Sequence, residues 1–193
     1  MPNDTSFSQL VSLACHDVRT PLATVHGFAK TLARTVELAP PADRYLEVIE
    51  AAAQQMTELL DELSLAARIE GGRYEPVLRE ADTLALARAA AERLGEERVR
   101  VSGAGAVVQT DADRIDRGVS ALVQAALRNG GLDEVDVVVR GREIDVSPIT
   151  ASSAPVVLGR ELRDLGAAVA VLLVESLGGA VAVEDGTLTI HLA

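Results

Sequence analysis

Residues 15–22 read Cys15-His16-Asp17-Val18-Arg19-Thr20-Pro21-Leu22, inside a run patterned as one long helix. Apolar residues recur at Phe7, Val11, Ala14, Val18, Pro21, Val25, Phe28 and Leu32, in alternating steps of four and three. That spacing is the seam of a helix packed in a bundle or coiled coil. At about 100° per residue, His16 lies about 180° from Phe7, directly opposite the seam. Core packing does not explain a histidine there. Gln9, Ser12, Ala23 and Gly27 share its outward face, and the last three are small enough to let another molecule come close.

The first helix is expected from about Ser6 to Val36, interrupted only by Pro21 and stopped by Pro40-Pro41. A second is expected from about Asp43, placed as its cap, to Glu70. It carries Tyr45, Val48, Ala52, Met56, Leu59, Leu63 and Ala66 in the same spacing and ends at Gly71-Gly72. A two-helix hairpin with one apolar stripe cannot bury that stripe alone. Pairing two hairpins into a four-helix bundle removes it from water, so a homodimer is expected.

Beyond Gly72 the pattern changes. Strand-like runs are read at Tyr74–Arg79, Arg98–Val101, Val107–Thr110, Val135–Val139, Glu143–Val146, Ala180–Val183 and Thr187–Leu192. They alternate with helices at about Asp82–Leu94, Asp113–Arg128 and Glu161–Leu177, the second capped by Asp111 or Asp113. Asp185-Gly186 between two runs marks a hairpin. The fold class expected is α+β: a hairpin domain over residues 1–71, then a two-layer α/β sandwich over 72–193.

Composition narrows the classes. Apolar residues make up 48% of the 193, yet there are two Phe, two Tyr and no Trp, so Ala, Val and Leu must build the core. A net charge of −11 argues against non-specific nucleic-acid binding and against an anionic membrane surface. The single cysteine, Cys15, cannot form an intramolecular disulfide. Met1-Pro2-Asn3-Asp4 has no signal-peptide pattern, and the richest apolar stretch, Ala167–Val174, is far too short to span a bilayer. A soluble, cytoplasmic protein is expected.

The His-Asp-x-x-Thr-Pro core within Phe7–Leu22 resembles the phospho-acceptor box of bacterial sensor histidine kinases. Asp61-Glu62-Leu63-Ser64-Leu65-Ala66 followed by Arg68-Ile69-Glu70-Gly71 resembles the partner helix of that dimerisation domain. Asp111-Ala112-Asp113-Arg114-Ile115 and Leu177-Gly178-Gly179-Ala180-Val181 are similar to two landmarks of the family's ATP-binding domain. The resemblance implies phosphoryl chemistry at His16, with Asp17 orienting or deprotonating the other ring nitrogen. Arg19 and Thr20 then border the site, Thr20 about 40° from His16 around the helix. In related bifunctional kinases the threonine position supports removal of phosphate from the partner, which the resemblance implies is a receiver domain with its own aspartate and magnesium.

The departures matter as much. The family's asparagine box is Ala121-Leu122-Val123-Gln124-Ala125-Ala126 here, with alanine at both asparagine positions. A methyl group cannot hold magnesium, which needs oxygen ligands. Pro148 stands where the adenine-reading aspartate belongs, and the glycine-rich loop is reduced to Asp164-Leu165-Gly166-Ala167-Ala168-Val169. Little length is left for a lid between Pro148 and Glu161. The expectation is therefore a histidine phosphotransferase with no nucleotide, metal or other cofactor, passing phosphate between receiver aspartates. The alternatives are a pseudokinase scaffold that binds receivers without transfer, and a divergent active kinase. His26 and His191 read as ordinary surface or strand positions, and no ligand pattern makes Cys15 a metal or nucleophile site.

Overall fold

Heptad spacing with no interior glycine pair before residue 71 produces two long helices in the computed structural model, which describes residues 4–35 and 40–193. Helix α1 spans Asp4–Thr35 and runs on through Pro21, while α2 spans Ala42–Glu70. The expected end of α1 at Val36 lies outside the described residues. The chain divides into two compact units, Met1–Arg73 and Tyr74–Ala193.

In the first unit α1 and α2 pack antiparallel along a line set off from the apolar stripe read in the sequence. Ser8, Cys15, Leu22 and Ala29 are buried at a seven-residue repeat, facing Leu46, Ala53 and Ala67 of α2 with half-buried Leu60 completing the series. Phe7 and Phe28 of the expected seam are each 68% exposed, and Val18, Val25 and Leu32 are also in the open. The reason is side-chain size. Helix axes approach to about 8–10 Å only where small residues meet, and Cys15, Ala29, Ala53 and Ala67 supply them. The bulkier stripe is turned to the neighbouring face, where Tyr45, Val48, Met56 and Leu59 of α2 are likewise exposed.

Helix α2 departs from expectation at its start. Pro41 holds the cap position, and Asp43 sits within the first turn, accepting from the Arg44 N–H at 2.7 Å. Its end is as expected: the Gly71 N–H reaches the Ala67 carbonyl, and Gly72 adopts φ +62°, a conformation that favours glycine.

The second unit contains β1 (Arg79–Asp82), α3 (Thr83–Leu94), β2 (Val99–Gly105), β3 (Val107–Thr110), α4 (Ala112–Gly130), β4 (Val135–Gly141), β5 (Glu143–Ser147), α5 (Ala154–Val157), α6 (Leu165–Ser176), β6 (Ala180–Glu184) and β7 (Thr187–His191). Five strands form a mixed sheet in the order β2-β4-β5-β7-β6, with β2 and β4 parallel and the other pairs antiparallel. β1 and β3 form a separate antiparallel ladder. Alternation along the sheet sends Val135, Val137, Val139, Ile144, Val146, Leu188 and Ile190 into the core. The complementary apolar faces are Leu86, Ala87 and Ala90 of α3, Ile115, Leu122 and Val123 of α4, and Ala170, Leu173 and Val174 of α6. Each fully buried Val, Leu or Ile contributes about 1.5–3 kcal/mol relative to exposure.

Several expectations are corrected here. Of the strand expected over Tyr74–Arg79 only Arg79 joins one, as the first residue of β1, because Pro76 removes a donor and Tyr74–Leu78 is tied instead to Asp111. The Tyr74 hydroxyl and the Val77 N–H both donate to Asp111 Oδ2, at 2.7 and 3.3 Å. Asp111 accordingly occupies the cap position of α4 without giving a side-chain cap, and Asp113 lies in the first turn, 3.5 Å from Arg79. The helix expected from Glu161 is α6, which starts instead at Leu165, since Asp164 is extended and its carboxylate caps Ala167. The four-residue α5 was not expected. The Asp185-Gly186 hairpin forms, with φ of 47° and 74° at the two turn residues, as a right-handed strand twist requires.

Candidate functional site

His16 projects from the middle of α1 with its side chain 75% exposed. The contact line to α2 leaves through Cys15, and the next residue is turned about 100° away from it. Asp17 Oδ1 lies 3.2 Å from His16 Nδ1. An ionised carboxylate can only accept, so Nδ1 must carry the hydrogen and the neutral ring keeps its lone pair on Nε2. In that tautomer Nε2 is the ring nitrogen left with a lone pair to react.

The other expected site residues have distinct settings. Arg19 does not hang free: its Nη2 donates to Asp61 Oδ1 of α2 at 2.8 Å, across a half-exposed pair. Thr20 stands exposed one turn past His16, and its carbonyl accepts from the Thr24 hydroxyl at 3.2 Å. Of the small outward residues, Ala23 and Gly27 are exposed, whereas Ser12 is half-buried. Its hydroxyl donates to the Ser8 carbonyl at 2.9 Å and accepts from Arg73 Nη2 at 3.2 Å. Sequence spacing did not bring in Asp61 or Arg73. They are 42 and 61 residues from the groups they touch, and only the antiparallel register joins them. Cys15 is 2% exposed inside the hairpin, and no group of three metal-ligating side chains occurs among the described residues.

The sandwich was tested as a seat for magnesium and nucleotide, the groups its fold implies. Of the two asparagine positions, Ala125 is wholly buried and Ala121 half-buried, and neither side chain gives an oxygen. The N-terminus of α6, where backbone N–H groups could receive phosphate, is held by the carboxylate of Asp164. That residue is 8% exposed and is also paired with Arg128 at the end of α4. Helix α5 packs against both α4 and α6, and its Val156 and Val157 are completely buried. A carboxylate thus caps the α6 N-terminus and the two alanines offer no oxygen, a donor set that does not fit magnesium and phosphate.

A helix hairpin presenting an imidazole, followed by a mixed α/β sandwich, is the architecture of a histidine kinase phospho-acceptor unit plus catalytic domain. Comparison with known proteins sharpens this. Residues 8–72 match the family model of the His Kinase A (phospho-acceptor) domain, and that part of the chain is such a domain. The sensor histidine kinase TrcS of Mycobacterium tuberculosis (strain ATCC 25618 / H37Rv) is 38% identical over 71 residues, covering 36% of this chain and 14% of TrcS. The sensor protein KdpD of Mycobacterium tuberculosis (strain CDC 1551 / Oshkosh) is 32% identical over 132 residues, covering 62% of this chain and 15% of KdpD. The chain thus spans a small part of the curated relatives it matches. Full-length ShkA, solved in complex with AMPPNP, superposes with a TM-score of 0.68 at 18% identity, over 96% of this chain and 46% of that one. Among the described residues, no helix is long and apolar enough to cross a membrane.

Proposed function

We propose that this protein is a histidine phosphotransferase, accepting a phosphoryl group on His16 Nε2 from the aspartyl phosphate of a receiver domain and returning it to another. In the first step the Nε2 lone pair forms the N–P bond while the aspartyl P–O bond breaks, and the aspartate leaves as a carboxylate. The imidazolium so formed keeps its Nδ1 hydrogen, stabilised by Asp17. In the second step another aspartate attacks phosphorus, the N–P bond breaks, and the neutral ring is restored. One difficult transfer becomes two easier ones.

The observation that carries this reading is the exposed His16–Asp17 pair, in a chain whose sandwich has the α6 N-terminus capped by Asp164. Such a protein needs its phosphate supplied from outside. Arg19, held by Asp61, and Thr20 border the same face and are assigned to docking and to positioning of the incoming phosphoryl group. The exposed stripe of Phe7, Val18, Val25 and Phe28 with Val48, Met56 and Leu59 fits a second hairpin, and we assign a homodimer to it.

A phosphorylated receiver incubated with the protein should label the wild type and leave His16→Ala unlabelled. Equal labelling of both would remove the proposal. Calorimetry with magnesium-ATP should detect no binding, and heat from a saturable site would favour the divergent-kinase alternative instead.

A further inference from the structure

The hairpin carries two guanidiniums on the N-terminal side of His16 without a carboxylate on either. Arg73 follows Gly71-Gly72, folds back over α1 and donates through Nη2 to the Ser8 carbonyl and the Ser12 hydroxyl, each at 3.2 Å. Gly71 makes the fold-back possible, since a Cβ there would lie 2.6 Å from Ser8 Oγ and 3.1 Å from Arg73 Nε. Arg68, half-buried in the last turn of α2, has its Nε buried with no hydrogen-bond partner. Among the described residues, neither arginine forms an ion pair.

Register brings Arg68 and Arg73 to one level. Asp61 meets Arg19 across the hairpin. Seven residues on, Arg68 leaves α2 on nearly the same side, about 20° short of two full turns. In an antiparallel pair that level matches the residue seven before Arg19, which is Ser12. Arg73 is already on Ser12. Both cations therefore flank a point one turn, about 6 Å along the axis, from His16.

We infer that Arg68 and Arg73 form a binding site for the phosphoryl dianion carried on His16 Nε2. The inference rests on His16 being the acceptor, as proposed above. In the unphosphorylated protein Arg73 is parked on two neutral oxygens, contacts that are weaker than charge-assisted ones. A dianion one turn away offers its planar fork a bidentate partner, and swinging the exposed side chain to it leaves Ser12 bonded to Ser8. Arg68 adds a second, less mobile charge from the partner helix. The pair are positioning residues: they hold the phosphoryl group and do not attack it.

The test uses the full chain and phosphoramidate as the only phosphoryl donor. Nε2 attacks phosphorus, the P–N bond breaks, and the zwitterionic donor releases ammonia, so that charge and protons balance. The 31P resonance on His16 is then followed against pH. In Arg68→Gln/Arg73→Gln the titration midpoint should rise by about half a unit or more, because loss of nearby positive charge favours the protonated form. Arg73→Lys should fall between that variant and the wild type. Salt at about 1 M should move the wild-type midpoint toward the double variant. A purely structural role would leave the midpoint unchanged. An unmoved midpoint in a double variant labelled at His16 overturns the site. If that variant loses helix by circular dichroism, Arg73→Lys and the salt titration decide in the same way. A wild type that takes no phosphate at His16 overturns the acceptor assignment itself, a failure told apart from the first by the missing label.

Discussion

At the scale of single residues, one hydrogen bond sets the chemistry. In the proposed transfer, Asp17 fixes the tautomer of His16 and stabilises the positive ring formed when Nε2 takes the phosphoryl group. Asp17→Asn keeps an oxygen that accepts from Nδ1 but removes the charge. Its initial labelling rate with phosphoramidate should fall roughly 10-fold or more, toward the range seen when acid–base partners are lost. An unchanged rate would reduce Asp17 to a bystander. Cys15 and His16 are neighbours in sequence but opposites in setting, the thiol being closed within the hairpin. The His-Asp-x-x-Thr-Pro run was readable because its outward placement follows from helix periodicity alone. The setting of Ser12 was not readable, since Arg73 returns to it from the far end of the second helix.

At the scale of elements, the heptad pattern revealed two helices but not the phase of their contact. Large residues mark an apolar stripe plainly, whereas the line along which two helices meet most closely is marked by small ones. Ala53 sits on that line at 1% exposure, so Ala53→Leu should destabilise the hairpin by about 1–3 kcal/mol in urea unfolding. In the sheet, strands showed themselves by alternation. β1 was misplaced because its predecessor, Tyr74–Leu78, is held by Asp111, a partner distant in sequence. Helix α5 is too short to leave a periodic trace. Between β2 and β4, Arg100 lies opposite Asp136 and bonds its carboxylate at 2.8 Å, which holds the Asp136 pKa below its ordinary value. That coupling favours the folded state above the ordinary carboxylate pKa and is lost as pH falls through the depressed one. In Arg100→Gln, the Asp136 carbon resonance should titrate at higher pH than in the wild type. Both groups are exposed, so overall stability should barely change.

For the whole molecule, charge and exposed surface decide how it meets others. The hairpin leaves a row of large apolar side chains uncovered, including Phe7, Val25, Phe28 and Tyr45, and contiguous exposed apolar surface of that kind marks an interaction site. Val25→Glu/Phe28→Glu should leave the α1–α2 contact line intact, because neither residue lies on it. Sedimentation equilibrium should then give twice the monomer mass for the wild type and the monomer mass for the variant. A wild type that sediments as a monomer would remove the dimer assignment.

The Asp164 cap also bears on whether nucleotide binding could be engineered into the sandwich. Replacing Ala121 and Ala125 by asparagine would return metal-binding oxygens yet leave a carboxylate lodged at the head of α6, clasped by Arg128. Removing that carboxylate first would strip the helix of its cap and leave Arg128 without its counter-charge. On the proposed reading, clearing the head of α6 for a phosphate therefore costs stability before it confers any binding.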